Sequence, residues 1–400
     1  MNKPASSKVG LILTGGGARA AYQVGVLRAI AKMLPRGSAS PFNVVCGTSA
    51  GAINAAAIAI GANDFHYAVQ RLSAVWKNFR TDQVYRTGIT DALRSSLRML
   101  AALVAGGLGK NNPVSVLDNT PLRELLQHNF DFAAIQGHIN SGHLRAISVT
   151  ASGYTSGQSV SFFQGNESLF NWKLARRAGA RAEIGLDHLL ASTAIPFLFP
   201  PVRINREFFG DGSMRQIAPI STALHLGADK LLIIAGGRIT NEQPERIVTG
   251  RPPSLAQIAG HVLNGIFLDS LEVDLERLER INKAVGTIQQ GVGNSQSLPL
   301  RKVDYLVFSP SQEIEKIAAQ HVRELPRTIR FLLRGLGARR ASGSNLISYL
   351  LFERPYCRAL MRLGYQDAIR RKEELSKFLE LNQRDRTEIR EQLDEVAGLS

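Results

Sequence analysis

Cysteine is scarce in this chain. Only two cysteines, Cys46 and Cys357, occur among its 400 residues. Two thiols do not make a disulfide framework, and they are too few for a cysteine-based zinc site. The sequence therefore excludes a small disulfide-rich secreted domain, and we expect a cytoplasmic protein.

Long apolar runs are also lacking. The apolar run after the first lysines is shorter than the roughly 7–15 residues of a secretory signal. The run 99–108 is shorter than the roughly 20 residues that a spanning helix needs. We therefore expect no signal peptide and no spanning helix, but a soluble protein or one attached peripherally to the inner face of the membrane.

Acidic residues are outnumbered by basic ones. The chain has 48 Lys and Arg against 33 Asp and Glu, which gives a net charge of +15. Such an excess favours a polyanionic partner, either nucleic acid or an anionic membrane surface. Because no helix-turn-helix, zinc-finger or aromatic RNA-binding signature occurs, we expect no nucleic-acid partner. A non-catalytic basic binding protein remains an alternative.

Short apolar segments alternate with helical patterns through the first 240 residues, which predicts a mostly parallel sheet covered by helices on both faces. A polar stretch at 236–254 follows, and the pattern then becomes mainly helical, starting with a periodic segment at 255–285. We therefore predict a first domain at 1–253 and a mainly helical extension at 254–400. The predicted strands of the first part are 9–14, 42–48, 144–151, 159–163 and 230–235.

Ser49 lies in a Gly-x-Ser-x-Gly motif between a predicted strand and an Ala-rich predicted helix. This context is typical of a nucleophile elbow, in which Gly47 and Gly51 let neighbouring segments approach a sharply turned serine. The helix N-terminus also favours negative charge that develops nearby. The motif predicts a nucleophilic serine, and the alternative is a glycine-flanked helix cap.

A glycine-rich loop, Gly15-Gly16-Gly17-Ala18-Arg19, also follows a strand and precedes a helix. Consecutive glycines allow backbone N–H groups to point into one concavity, which suits an oxyanion or a phosphate. The loop lacks the Lys-Ser/Thr pair of a P-loop and matches the dinucleotide fingerprint only weakly. We favour the oxyanion interpretation over a plain tight turn.

Asp211 lies between Gly210 and Gly212 and is a candidate base, although such an Asp is common in ordinary turns. The usual base for a serine is histidine, yet none of the eight histidines lies in a glycine-rich loop at a strand end. His188 lies on an apolar helical stretch, where we expect a packing role. The residues indicate a Ser–Asp pair, with a Ser-His-Asp triad as the alternative.

The order of these motifs resembles the patatin-like phospholipase family. The glycine loop, the Ser49 motif, the segment 191–201 and Asp211-Gly212 carry the resemblance, which covers about 8–234. The segments 269–277 and 348–352 are similar to the C-terminal extension of bacterial members. Ala20 and Ser213 depart mildly from the family pattern, at positions without a catalytic atom.

The resemblance implies a three-layer α/β/α patatin-like fold with a mostly parallel central sheet and a mainly helical C-terminal extension. It implies a lipid acyl hydrolase of phospholipase A or lysophospholipase type, acting on phospholipids or other lipid esters through an acyl-enzyme and without metal or cofactor. The implied site has a Ser49–Asp211 dyad and an oxyanion hole from the amides of Gly15, Gly16 and Gly17. Supporting motif positions are Arg19, Gly47, Gly51, Gly210 and Gly212.

Two basic, apolar segments are candidates for contact with an anionic membrane surface. If a helix extends through Pro326, four arginines lie on one face and leucines and isoleucine on another, as in an interfacial helix. The stretch 94–108 is the second candidate, as a cover over the site. The alternative is that both apolar faces pack into the core. The four arginines are Arg323, Arg327, Arg330 and Arg334.

Overall fold

A single sheet forms the centre of the molecule. The computed structural model describes residues 7–86, 115, 117–239, 252–291, 301–335, 337–338 and 343–381. The strands are β1 Val9–Leu13, β2 Val44–Thr48, β3 Ala146–Gly153, β4 Ser159–Gly165, β5 Trp172–Leu174, β6 Arg177–Arg181, β7 Val202–Ile204, β8 Glu207–Asp211, β9 Lys230–Ile234 and β10 Asp304–Phe308. The sheet order is β10-β9-β1-β2-β3-β4-β6-β5, and β8 pairs with β3 and β7 beside that path.

Helices surround this sheet. They are α1 Ala21–Met33, α2 Ala50–Ile60, α3 Phe65–Lys77, α4 Thr120–Asn129, α5 Ala133–Asn140, α6 Leu186–Ser192, α7 Pro219–His225, α8 Leu255–Asn264, α9 Ser270–Gly291, α10 Ile314–His321, α11 Arg327–Gly335, α12 Ser344–Leu350, α13 Arg354–Arg370 and α14 Lys372–Phe378. Short 3₁₀ turns lie at Gly17–Ala20, Thr81–Gln83, Gly212–Met214 and Val322–Glu324. A π turn at Gly265–Asp269 joins α8 to α9.

The central strands are buried on both faces, as their continuous apolar sequences predict. Every residue of β1 and β2 is buried. Leu11 and Leu13 belong to the larger apolar cluster, which includes residues of α1 and α2. Ile12, between them, belongs to a second cluster with residues of α7 and α9. The mostly parallel three-layer α/β/α architecture is therefore confirmed.

The C-terminal part of the chain contributes to the same sheet. Strand β10 pairs in parallel with β9, from Asp304 opposite Lys230 to Phe308 opposite Ile234. The structure thus joins residues on both sides of position 253 in one sheet. The domain boundary near residue 253 stays a prediction about folding units.

Helix α13 packs closely against α1. Gly364 lies within α13, and its α-carbon contacts the backbone of Tyr22 in α1. A side chain at this position would overlap the Tyr22 carbonyl. The glycine therefore allows two helices to cross closely, rather than ending one of them.

Helix α11 does not include all four arginines of the proposed interfacial face. It begins at Arg327, because Pro326 lacks the N–H group that a continuing helix needs, and Arg323 lies in a separate 3₁₀ turn. Leu325, Ile329 and Leu333 are buried in the core. The condition of one helix through Pro326 is therefore not met, and the alternative of core packing holds for these three apolar side chains. Contact of the arginines with a membrane surface stays a prediction.

The second predicted membrane segment, 94–108, lies outside the described residues. Among the helices that are described, none is both long and apolar enough to cross a membrane.

Candidate active site

Ser49 occupies the turn between β2 and α2. Its φ angle is +54°, in the left-handed region that L-residues rarely adopt, as a nucleophile elbow requires. Gly47 and Gly51 flank the turn, and the α-carbon of Gly51 faces the carbonyl of Leu13 at the end of β1. The local strand–turn–helix structure therefore agrees with the sequence motif.

Asp211 is the last residue of β8 and lies directly beside Ser49. The Ser49 hydroxyl donates a hydrogen bond to Asp211 Oδ2 at 2.6 Å. The backbone N–H of Ser213 donates to the other carboxylate oxygen at 2.9 Å. Both members of the pair are buried, with 2% of Ser49 and 1% of Asp211 exposed. The structure thus brings together two residues 162 positions apart in the chain.

The Asp211 carboxylate is in an unusual electrostatic environment. Burial raises its pKa from 3.8 to about 6, because the charged form loses solvation by water. The hydrogen bonds from Ser49 and Ser213 oppose this shift by stabilising the carboxylate. Gly210 and Gly212, on either side, face the ring of Tyr154 and the carbonyl of Thr150.

A further serine supports the turn at Ser49. The Ser49 backbone N–H donates to Ser192 Oγ at 2.9 Å, and that hydroxyl donates to the Thr150 carbonyl at 2.6 Å. Sequence reasoning did not assign a role to Ser192. It occurs only as part of the segment 191–201, and no spacing rule relates it to Ser49.

The glycine loop lies close to the same serine. Gly17 and Ser49 line one cavity, whereas Gly15 and Gly16 are outside its wall among the described residues. Gly17 has a φ angle of +54°, and its α-carbon packs against the backbone carbonyl of Tyr349 in α12. The amides of these three glycines donate to no acceptor in the part of the chain that the structure describes. Of the three, Gly17 is the one that a ligand in this cavity can contact.

Arg19 connects this loop to the C-terminal part of the chain. Only 1% of the residue is exposed, and its guanidinium group lies 3.9 Å from the centre of the Tyr349 ring. Its N–H groups donate to Ser348 Oγ at 2.8 Å, Glu315 Oε1 at 2.8 Å and Asn345 Oδ1 at 2.6 Å. The glycine motif includes Arg19 but does not indicate its partners, which lie about three hundred residues further along the chain.

We expect Arg19→Lys to lower the free energy of unfolding by about 2–4 kcal/mol. Lysine keeps the charge, but one ammonium group cannot reproduce the planar donor geometry that reaches three acceptors. Unfolding in urea measures the effect. The matched control is Arg123→Lys, since Arg123 pairs with Asp187 at the surface. This control should change the stability by less than about 1 kcal/mol, and equal effects in the two variants would contradict the prediction.

The cavity beside Ser49 has a volume of about 720 Å³. This size lies within the range of about 300–1,000 Å³ that is usual for small-molecule sites. Side chains from α2, α3, α4 and α12 form most of the wall, which is largely apolar. Lining residues include Ile53, Leu72, Trp76, Leu122, Leu126, Phe199, Leu350 and Phe352. Such a wall suits an acyl chain.

The histidines lie elsewhere. All eight are within the described ranges, and none of them lines this cavity. The backbone N–H of Gly185 donates to the His188 ring at 3.2 Å, and the ring packs edge-on against Phe162. The packing role predicted for His188 is therefore confirmed. No group of three or more His, Cys, Asp or Glu among the described residues is arranged to hold a metal ion.

Comparison with known proteins identifies the family. The model of the patatin-like phospholipase family matches residues 11–224, more than half of the chain. The chain therefore belongs to the patatin-like phospholipases, a family of lipid acyl hydrolases. Among solved structures it is similar to VipD from Legionella pneumophila, with 14% identity and a TM-score of 0.30 over 89% of this chain and 67% of that one. No curated protein matches the chain.

Proposed function

We propose that this protein is a serine acyl hydrolase that cleaves phospholipids or lysophospholipids through a Ser49–Asp211 dyad. The observation that carries the proposal is the 2.6 Å hydrogen bond from Ser49 Oγ to Asp211 Oδ2. Ser49 also lines a largely apolar cavity. An activated hydroxyl beside an apolar wall is the combination that a lipid ester requires.

In this mechanism Asp211 accepts the Ser49 proton while Ser49 Oγ attacks the ester carbonyl carbon. The tetrahedral intermediate then collapses, the ester C–O bond breaks, and Asp211 returns the proton to the leaving alcohol. A water molecule, deprotonated by Asp211, attacks the acyl-enzyme, and the fatty acid leaves as Ser49 recovers its proton. A single carboxylate thus acts as base and acid in each half of the reaction.

The raised pKa of Asp211 supports this role. An ordinary aspartate, with a pKa near 3.9, is a weak base toward a hydroxyl. Burial raises the pKa of Asp211 to about 6, closer to neutral pH. A stronger base lowers the free-energy cost of taking the Ser49 proton.

The glycine loop is the proposed oxyanion hole. The amides of Gly15, Gly16 and Gly17 have no acceptor among the described residues, and Gly17 shares the cavity wall with Ser49. Preformed N–H donors stabilise the charge that develops on the carbonyl oxygen, and removing one such donor costs about 3–4 kcal/mol in other acyl-transfer enzymes. In this proposal Arg19 positions the loop through its contacts with α12.

The position of the histidines favours the dyad over a Ser-His-Asp triad. A triad needs a histidine within about 3 Å of the nucleophile. The Ser49 hydroxyl instead bonds directly to a carboxylate, and no histidine lines the cavity in the described ranges.

Adsorption to an anionic membrane surface is part of the proposal. Lipid substrates lie in aggregates, and the net charge of +15 attracts the protein to anionic headgroups. Each basic residue near such a surface contributes about 1 kcal/mol, and salt screens the attraction.

The test combines covalent labelling with a substrate panel. A fluorophosphonate probe should label the wild-type protein, and mass spectrometry should locate the adduct on Ser49. The panel contains phospholipids, lysophospholipids, triacylglycerols and short p-nitrophenyl esters. Hydrolysis of lipid esters together with labelling supports the proposal, whereas neither hydrolysis nor labelling would favour a non-catalytic binding protein.

The pH dependence of the reaction follows from the same carboxylate. Asp211 acts as a base only when deprotonated, so kcat/KM should rise with pH through about 6 and then level off. Hydrolysis of a soluble p-nitrophenyl ester between about pH 4.5 and 8 measures the midpoint. A profile that is flat down to about pH 4 would show that Asp211 is solvated or is not the base.

A further inference from the structure

A second cavity lies on the C-terminal side of the molecule. Its volume is about 810 Å³, and it lies between α10, the turn at Val322–Glu324, α11 and α12. Its wall contains three arginines, Arg323, Arg330 and Arg334, and no acidic side chain among the described residues. Most remaining lining residues are small or apolar. No acidic side chain of the described wall therefore neutralises the positive charge of this cavity.

The three arginines have no protein partner among the described residues. None of them forms an ion pair or a side-chain hydrogen bond within the part of the chain that the structure describes. Arg330 is half-buried on the cavity wall. Its Nε atom is closed off from solvent and has no acceptor among the described residues, whereas its terminal nitrogens are not among the buried unsatisfied atoms. The terminal N–H groups are therefore the donors that a ligand in the cavity can reach.

The sequence concentrates charge in the same segment. Six arginines and one glutamate occur between positions 323 and 340. An anion among three guanidinium groups is attracted by each of them. The arrangement therefore points to an anionic ligand.

We infer that this cavity binds a phosphate monoester through Arg323, Arg330 and Arg334. A phosphate monoester carries a charge of about −1.5 to −2 at pH 7 and has three free oxygen acceptors, enough for three guanidinium groups. A carboxylate carries half the charge and has two oxygens. Arginine forms paired hydrogen bonds to phosphate oxygens, which adds geometric selectivity to charge attraction. The volume leaves room for the organic part of the ligand.

The phosphate can belong to a membrane lipid or to a soluble molecule. This site is separate from the proposed dyad, because the two cavities share no lining residue. Their walls do share α12, which contributes Ile347 to the basic cavity and Tyr349 to the cavity beside Ser49. The inference concerns binding alone and does not require that the protein hydrolyses esters.

Vesicle co-sedimentation tests the inference. Both vesicle types contain ether-linked lipids, which have no carboxylic ester to cleave. One type contains phosphatidylcholine with phosphatidic acid, a phosphate monoester. The other contains phosphatidylglycerol, a diester, at about twice the mole fraction so that the surface charge is the same. We expect wild type to bind the phosphatidic acid vesicles about tenfold more tightly, the contribution of one or two charge-assisted hydrogen bonds.

Two variants each replace one arginine of the cavity, and a matched control variant replaces an arginine outside it. Arg330→Gln and Arg334→Gln should abolish the preference for phosphatidic acid. Arg327→Gln removes the same charge from the same helix, but Arg327 is exposed and does not line the cavity. It should keep the preference, with slightly weaker binding to both vesicle types. Arg334 is exposed, so its variant remains a valid test if Arg330→Gln folds poorly.

A soluble probe distinguishes the source of the phosphate. Calorimetric binding of glycerol 3-phosphate that is lost in Arg330→Gln but kept in Arg327→Gln would assign the site to a soluble phosphate monoester. Binding only to phosphatidic acid vesicles, with the same dependence on Arg330, would assign it to a lipid headgroup. If wild type binds the two vesicle types equally and glycerol 3-phosphate not at all, the inference is wrong. Equal losses of binding in all three variants would likewise contradict the inference, because the arginines would then act only through general surface charge.

Discussion

Ser49→Ala should lower the rate of lipid ester hydrolysis by a factor of about 10⁴ or more, because it removes the proposed nucleophile. The protein should still fold, since one small buried hydroxyl is lost and alanine fits the turn as well as serine does. The substitution also leaves Asp211 Oδ2 without its hydrogen-bond donor. The pKa of Asp211 should then rise further, because the Ser49 bond normally lowers it.

Single-turnover hydrolysis of a phospholipid and fluorophosphonate labelling measure this effect. The matched control is Ser148→Ala, which removes another buried serine hydroxyl from the neighbouring strand β3. Ser148 Oγ has no partner among the described residues, so this variant should keep its activity and its labelling. Retention of a substantial fraction of activity by Ser49→Ala would mean that a different residue attacks the ester.

The sequence predicts those parts of the fold that a short stretch of chain determines by itself. Strands β1, β2 and β9 are continuous apolar runs, and burial on both faces requires such runs. The turn at Ser49 is likewise local, because strand, glycines and helix follow one another within a few residues. Strand β8 was not predicted. It is short and partly exposed, and it pairs with β3 in the antiparallel direction.

The candidate site depends on that unpredicted strand. Asp211 ends β8, and the pairing of Asp211 with Ala151 places its carboxylate beside Ser49. Neither residue spacing nor composition encodes this register, so the Ser–Asp pair was indicated only by the absence of a suitable histidine and by the family resemblance. The partners of Arg19 are similarly distant, since Glu315 and Ser348 approach it only after the C-terminal helices pack.

The helical extension also holds contacts that a local pattern does not predict. The lack of a side chain at Gly364 allows α1 and α13 to cross closely. Pro326 separates the turn at Val322–Glu324 from α11, so the condition for one continuous interfacial helix is not met. Leu325, Ile329 and Leu333 pack into the core, and the arginines of this segment partly face a cavity. An amphipathic pattern alone does not distinguish a lipid-facing helix from one that covers a core.

Burial of Asp211 has a consequence for stability as well as for catalysis. The pKa of this group is about 6 in the folded protein and near 3.8 when the chain is unfolded. The folded state therefore holds the proton more tightly, and the favourable contribution of the protonated form is fully present below about pH 3.8. It is lost as pH rises through about 6. At neutral pH the charged, buried carboxylate lowers the stability of the protein.

Asp211→Asn should consequently remove activity without the usual loss of stability at neutral pH. Asparagine cannot accept the Ser49 proton, so we expect the rate to fall by a factor of about 10³–10⁴. Asparagine also carries no charge, so its buried side chain does not lose stability as the pH rises. The free energy of unfolding of the variant, relative to that of wild type, should therefore increase by about 1 kcal/mol from pH 5 to pH 8. Hydrolysis assays and urea unfolding at the two pH values measure both effects.

Because asparagine followed by Gly212 deamidates readily, Asp211→Ala should be measured beside it. High activity of both variants, together with loss of activity in a single His→Ala variant, would replace the dyad with a histidine-dependent mechanism.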